Sequence, residues 1–124
     1  TFLPVMTAFA RSLTDQEVRT VSRYAATLPA PAAGIRASDG GDDFRALCAA
    51  CHGAAGEGND ALHAPRLCGQ HAPYLVRRMA ESAANLRGDA DPAMAAIVAQ
   101  VPDHRRAAIA AWLAAGDCDA EAGS

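Results

Sequence analysis

The chain has 124 residues and a formal net charge of −3, and all eleven basic residues are arginine. This length allows one small domain with an appendage, and an acidic balance without aromatic–basic clusters excludes a broad nucleic-acid face. Hydrophobic residues make up 51% but aromatics only 5%, which leaves a thin core, and the longest apolar run, Ala107 to Ala115, falls far short of a membrane span.

In chain order, Thr14-Asp15-Gln16-Glu17 has the capping-box pattern. It predicts a helix to about Leu28 with Val18, Val21, Tyr24, Ala25 and Leu28 as its apolar stripe. Pro29 to Gly34 is a linker by composition, so residues 1–34 are expected to form an appendage to a domain over 35–124. A second helix is expected from about Ser38, with Asp42 and Asp43 toward its positive end and Phe44 and Leu47 facing inward. Gly53 to Gln70 reads as a loop. Pro73 suits the first turn of a third helix carrying Leu75, Met79 and Leu86 on one face. Asp91-Pro92 starts a short helix. Pro102-Asp103 opens the last one, with Ile109, Trp112 and Leu113 inward and Gly116 at its end. No segment alternates as a strand does, so the expected fold is all-α.

The second predicted helix runs into Cys48-Ala49-Ala50-Cys51-His52. Cys-x-x-Cys-His is the attachment signature of a c-type haem. Two thiols at this spacing can each add to one vinyl group of a single porphyrin, and the next residue lies under the iron as its proximal ligand. A buried porphyrin would also supply the large apolar surface that the composition lacks. The competing reading is zinc: Cys48 and Cys51 are followed by Cys68-Gly69-Gln70-His71, at a central spacing within the range of a zinc ribbon. Zinc, however, needs no His directly after the second Cys. The Ala-rich flanks also read as helices, where ribbons use short strands. Cys68 and Cys118 remain after haem attachment, either bridged or as two buried thiols. Covalent haem attachment takes place outside the bacterial cytoplasm, so a periplasmic location is expected. A chain starting at Thr1 is expected to be processed or a fragment.

His52 fills one axial position, and Met6, Met79, Met94, His63, His71 and His104 are candidates for the other. Met79 and Met94 both lie on apolar stripes, so periodicity does not separate them.

From about residue 38 to 115 the chain resembles a class I cytochrome c, and within that family most resembles the dihaem cytochrome c4 group. The likeness rests on Phe44 to Gly53, Pro65 to Leu75, Met94, and the closing Ala110-Ala111-Trp112-Leu113. It implies a cytochrome c fold: four to five helices wrapped around one haem c held covalently through Cys48 and Cys51. It further implies His52 and Met94 as iron ligands, Pro65 as the carbonyl that orients the proximal imidazole, and Gln70 and Tyr74 near the haem in unassigned roles. Cys68 departs from the family, where a small apolar residue is usual, and this motivates a bridge to Cys118.

An 88-residue shift places Met6 on Met94, Phe9 on Ile97, Leu13 on Val101, Asp15 on Asp103, Val21 on Ile109 and Tyr24 on Trp112. Residues 1–28 therefore resemble the closing part of an upstream haem domain whose attachment motif is absent. The chain is then either the C-terminal piece of a two-haem protein or carries a degenerate first domain. In this chain Met6 is expected to bind no iron, and the stripe to pack on a haem domain of the same chain or of a second copy. The expected function is one-electron exchange with redox protein partners, not enzymatic catalysis. The alternatives are a cytochrome subunit or domain of a larger dehydrogenase, a haem enzyme or sensor with an open sixth site, and last a structural zinc module.

Overall fold

The computed structural model describes residues 4–29, 38–85, 91–116 and 118, with no account of the side chains at 38 and 39. The chain divides into two compact units, Thr1–Ala30 and Pro31–Ser124. The linker expected over Pro29 to Gly34 falls almost entirely outside the described residues.

The first unit is a helical pair, α1 (Pro4–Ser12) and α2 (Asp15–Thr27). The capping box forms as the sequence implies: Thr14 Oγ1 accepts from the Glu17 amide at 3.1 Å, and Glu17 Oε1 accepts from the Thr14 amide at 2.9 Å. The bond from the Thr14 amide holds the Glu17 carboxyl below its ordinary value. Neither helix buries a residue. Within this unit the apolar stripe stays exposed, Tyr24 at 67% and Val21 at 57%.

The second unit contains α3 (Ser38–Leu47), α4 (Ala49–His52), a 3₁₀ turn (Asp60–Leu62), α5 (Ala72–Ala84), α6 (Pro92–Ala99) and α7 (Asp103–Ala114). These five helices, and no strand among the described residues, make the expected all-α architecture; the isolated bridge Asn59–Ala64 is the one extended pairing described. Asp91 caps α6 by accepting from the amides of Ala93 and Met94 at 2.9 and 3.2 Å. Asn85 ends α5 in the left-handed conformation.

The core is built by α3 and α5 packing on α7. Gly40 and Gly41 make the α3–α7 contact possible. A Cβ on Gly40 would lie 2.1 Å from the Ala108 carbonyl oxygen, and one on Gly41 would lie 2.6 Å from Trp112 Nε1. With the backbones this close, Phe44 drops onto Trp112 at a ring separation of 5.1 Å and is fully buried. Leu75, Met79, Val98, Val101, Ile109 and Leu113 complete the cluster. Arg105 of α7 clamps Asp43 of α3 with two donors, Nε and Nη2, each to one carboxylate oxygen, the Nε bond at 2.9 Å. Those bonds hold the Asp43 carboxyl below its ordinary value.

One expectation needs correction, and one lies outside the described residues. Leu47 is 41% exposed rather than inward-facing, because α3 meets α7 through Gly40, Gly41 and Phe44. Leu86, expected on the same face as Leu75 and Met79, falls outside the described residues.

Adding a methyl group at the α3–α7 contact should separate the two helices. Gly40→Ala is expected to lower the stability of the haem-bearing protein by about 1–3 kcal/mol, read as a drop in its denaturation midpoint.

Candidate cofactor site

The attachment motif lies on a helical turn continuing from α3. The Cys48 amide donates to the Phe44 carbonyl at 2.8 Å, and the Cys51 and His52 amides donate to the Cys48 carbonyl at 3.3 and 3.0 Å. Positions i, i+3 and i+4 of a helix share a face, so Cys48, Cys51 and His52 emerge on the same side. Gly53 then leaves the helix at φ 88°, a conformation that favours glycine. Cys48 and Cys51 are not bridged to one another. Burial, with the charge of Asp43 adding to it, pushes the Cys48 thiol up to about 11.

His52 is buried, at 7% exposure. Its Nδ1 lies 3.0 Å from the Pro65 carbonyl oxygen. A carbonyl can only accept, so Nδ1 carries the proton, and in the neutral ring the lone pair is on Nε2. Among the described residues Nε2 has no hydrogen-bond partner. A buried imidazole in one fixed tautomer, with its other nitrogen unpaired beside two free thiols, fits a covalently attached haem whose iron takes that nitrogen. Large apolar side chains of this unit that remain uncovered among the described residues include Leu47, Leu62 and Tyr74, which suits a broad apolar cofactor.

The Pro65 carbonyl belongs to a loop held at several points. The Gly58 amide returns to the His52 carbonyl at 2.7 Å, Asn59 pairs with Ala64, and the Leu67 and Cys68 amides converge on the Gly56 carbonyl at 2.7 and 3.1 Å. Gly56, at φ 83°, sits so close to Leu113 that a Cβ would meet that side chain at 2.7 Å. The Gly69 amide donates to the Leu113 carbonyl at 2.9 Å. Cys68 and Cys118, both buried, form a disulfide with a Cα–Cα distance of 5.7 Å. Of the two states left open by the sequence, the bridge is the one present. It also takes Cys68 out of the Cys-x-x-Cys…Cys-x-x-His array, so the four zinc donors are not assembled, and no cluster of three or more candidate metal donors occurs among the described residues.

Met94 lies in the first turn of α6, half-buried and packed against the core, while Met79 is buried inside it. His63, His71 and His104 are exposed. Gln70 is half-buried, and its Oε1 accepts from the His71 amide at 2.9 Å. Tyr74 stands in the first turn of α5, 38% exposed, with the Arg77 guanidinium 5.5 Å from its ring. Sequence reasoning missed Arg106. Its guanidinium reaches from α7 to the Val98 carbonyl in the last turn of α6 at 2.6 and 3.1 Å, which ties the helix carrying Met94 to α7. A cation at a helix C-terminus is a recognisable pattern, but here it comes from a different helix and local sequence gives no sign of it.

The description cytochrome c oxidase, cbb3-type, subunit III belongs to a family model that matches residues 36–113. The chain belongs to the cytochrome c family. Cytochrome c4 of Thiocapsa roseopersicina is 35% identical over 121 residues, covering 87% of this chain and 63% of the relative. This cytochrome therefore spans less than two thirds of that relative's length. The crystal structure of reduced recombinant cytochrome c4 from Pseudomonas stutzeri superposes with a TM-score of 0.82 at 23% identity, over 93% of this chain and 67% of the other; this likeness establishes the cytochrome c fold. Haem c is the cofactor of the family, and Cys48 and Cys51 present its attachment motif.

With two thiols consumed by haem and two by the bridge, thiol titration of the denatured, unreduced holoprotein should find no free cysteine. Two free thiols would mean that the bridge is absent in solution.

Proposed function

We propose that this chain is a periplasmic electron-transfer cytochrome, with the haem iron held between His52 and Met94. The observation that carries the reading is buried His52, its Nδ1–H given to Pro65 and its Nε2 unpaired next to two free thiols. Haem bound here supplies a one-electron iron couple. The chain's own residues hold the two donors still. His52 is fixed by the Pro65 carbonyl, and Met94 by a capped helix that Arg106 fastens to α7. Two donors that do not move between oxidation states favour electron exchange over substrate binding, so the reading is not enzymatic. Met94 is preferred to Met79 because Met79 is already enclosed by the core while Met94 stays half-covered. Gln70 and Tyr74 are proposed as haem neighbours, and redox proteins as the partners.

Residues 1–34 are proposed as the tail and linker of an upstream cytochrome domain. The helix boundaries support this beyond the six coincident side chains. Shifted by 88 residues, Pro4 at the start of α1 falls on Pro92 at the start of α6, and Asp15 at the start of α2 falls on Asp103 at the start of α7. The coding sequence before Thr1 is therefore expected to encode another Cys-x-x-Cys-His about forty to fifty residues upstream, the Cys48-to-Met94 separation carried back from Met6. A signal peptide ending at Thr1 would leave only the degenerate-domain version.

Denaturing mass spectrometry should give the polypeptide plus one haem; a bare polypeptide with zinc would mean that the site binds metal and not haem. The oxidised protein should show the weak near-infrared sulfur-to-iron band, lost in Met94→Ala and kept in Met79→Ala, and the reverse pattern would exchange the two roles. A reduced spectrum that shifts under carbon monoxide would indicate an open sixth site instead.

A further inference from the structure

We propose that Cys68 and Cys118 are positioning residues for the proximal ligand. Their disulfide holds the Pro65 carbonyl on His52 Nδ1 and thereby contributes to the reduction potential of the haem. The inference rests on His52 binding the iron through Nε2.

A carbonyl accepting from Nδ1–H makes the imidazole a stronger donor through Nε2, and it does so only while the contact is short and aligned. Pro65 cannot anchor itself through its own amide, because proline has none. Its position is inherited from the residues on either side. Before it, the Asn59–Ala64 pair holds the chain in a small hairpin-like turn. After it, the Leu67 and Cys68 amides share one acceptor, the Gly56 carbonyl. Both anchors lie within the loop, so neither ties the loop to the rest of the fold.

Two connections join the residues after Pro65 to the end of α7, and they sit side by side. The Gly69 amide donates to the Leu113 carbonyl at 2.9 Å, in the last turn of α7. The Cys68–Cys118 bridge joins the neighbouring residue to the chain just past that helix, across 50 residues. Both cysteines are essentially closed to solvent, at 4% and 1% exposure. The bridge is the one covalent tie between this loop and α7. A cysteine in a place where the resembling family uses a small apolar residue is then explained by what it holds. With the bridge opened, the Gly69–Leu113 bond loses its covalent neighbour, this part of the loop shifts relative to α7, and the His52–Pro65 bond lengthens. The imidazole becomes the weaker donor, oxidised iron loses stabilisation, and the potential rises.

The test uses the haem-bearing protein and the double variant Cys68→Ala/Cys118→Ala, with Ile109→Val as a comparator that loosens the core of α7 away from the loop. Each is read for midpoint potential and for solvent exchange of the His52 Nδ1 proton by NMR. In the double variant the redox equilibrium should shift threefold to tenfold toward the reduced form, a rise of about 30–60 mV for one electron. Nδ1–H exchange should be faster as well. Ile109→Val should lose stability and change neither reading. If the double variant fails to take up haem, the same readings are made on wild-type holoprotein whose bridge has been opened with a phosphine and capped with iodoacetamide. An unchanged potential and unchanged exchange with the bridge removed would reduce the disulfide to a stabilising staple and overturn the proposal. Failure of the underlying ligation reading would appear differently: wild type itself would lack an iron-shifted His52 resonance.

Discussion

The close approach of α3 to α7 is the constraint from which the rest of the haem-bearing unit follows. Gly40 and Gly41 let the two backbones touch, Phe44 stacks on Trp112, and Arg105 locks Asp43 from the opposite helix. Because α3 continues directly into the Cys48–His52 turn, whatever orients α3 also orients the attachment motif. A side chain at either glycine would displace both the core and the site, since packed interiors accommodate added volume poorly.

α7 then acts as a strut with a connection at each end. Near its start Arg106 holds the last turn of α6, the helix that presents Met94. Near its end the Leu113 carbonyl and the Cys68–Cys118 bridge hold the loop that presents Pro65 to His52. The segments that carry the two candidate iron ligands share α7 as a support. This arrangement suits an electron-transfer site, where the protein contributes fixed donors and leaves the redox chemistry to the cofactor.

The first unit is a different case. Its two helices are well formed and capped, yet bury nothing within the unit. An amphipathic stripe of valine, tyrosine and leucine is what remains when a closing helix pair is considered apart from the core it closes, and exposure of such a stripe favours association. The correspondence of its helix starts with those of α6 and α7 is what the proposed origin in an upstream cytochrome domain rests on.

Much of this was legible in order along the chain. The attachment motif, the Thr14 capping box, the proline- and aspartate-marked helix starts and the inward Phe44, Trp112 and Leu113 depend on neighbours within one or two turns, and such local rules are written in sequence spacing. The family resemblance pointed to Pro65 as the partner of His52 before geometry did. What sequence could not decide are relations between residues on different elements: which row of α3 faces α7, leaving Leu47 outside; that Arg106 reaches α6 as well as Asp103 of its own helix; and whether Cys68 and Cys118 meet. Periodicity gives a helix its apolar face but not the neighbour that face will find. A cysteine count gives an even number but not a distance. Those answers come only when tertiary packing brings the end of α7 against the loop, because contacts across 50 or more residues are set by the sum of the packing rather than by any local preference.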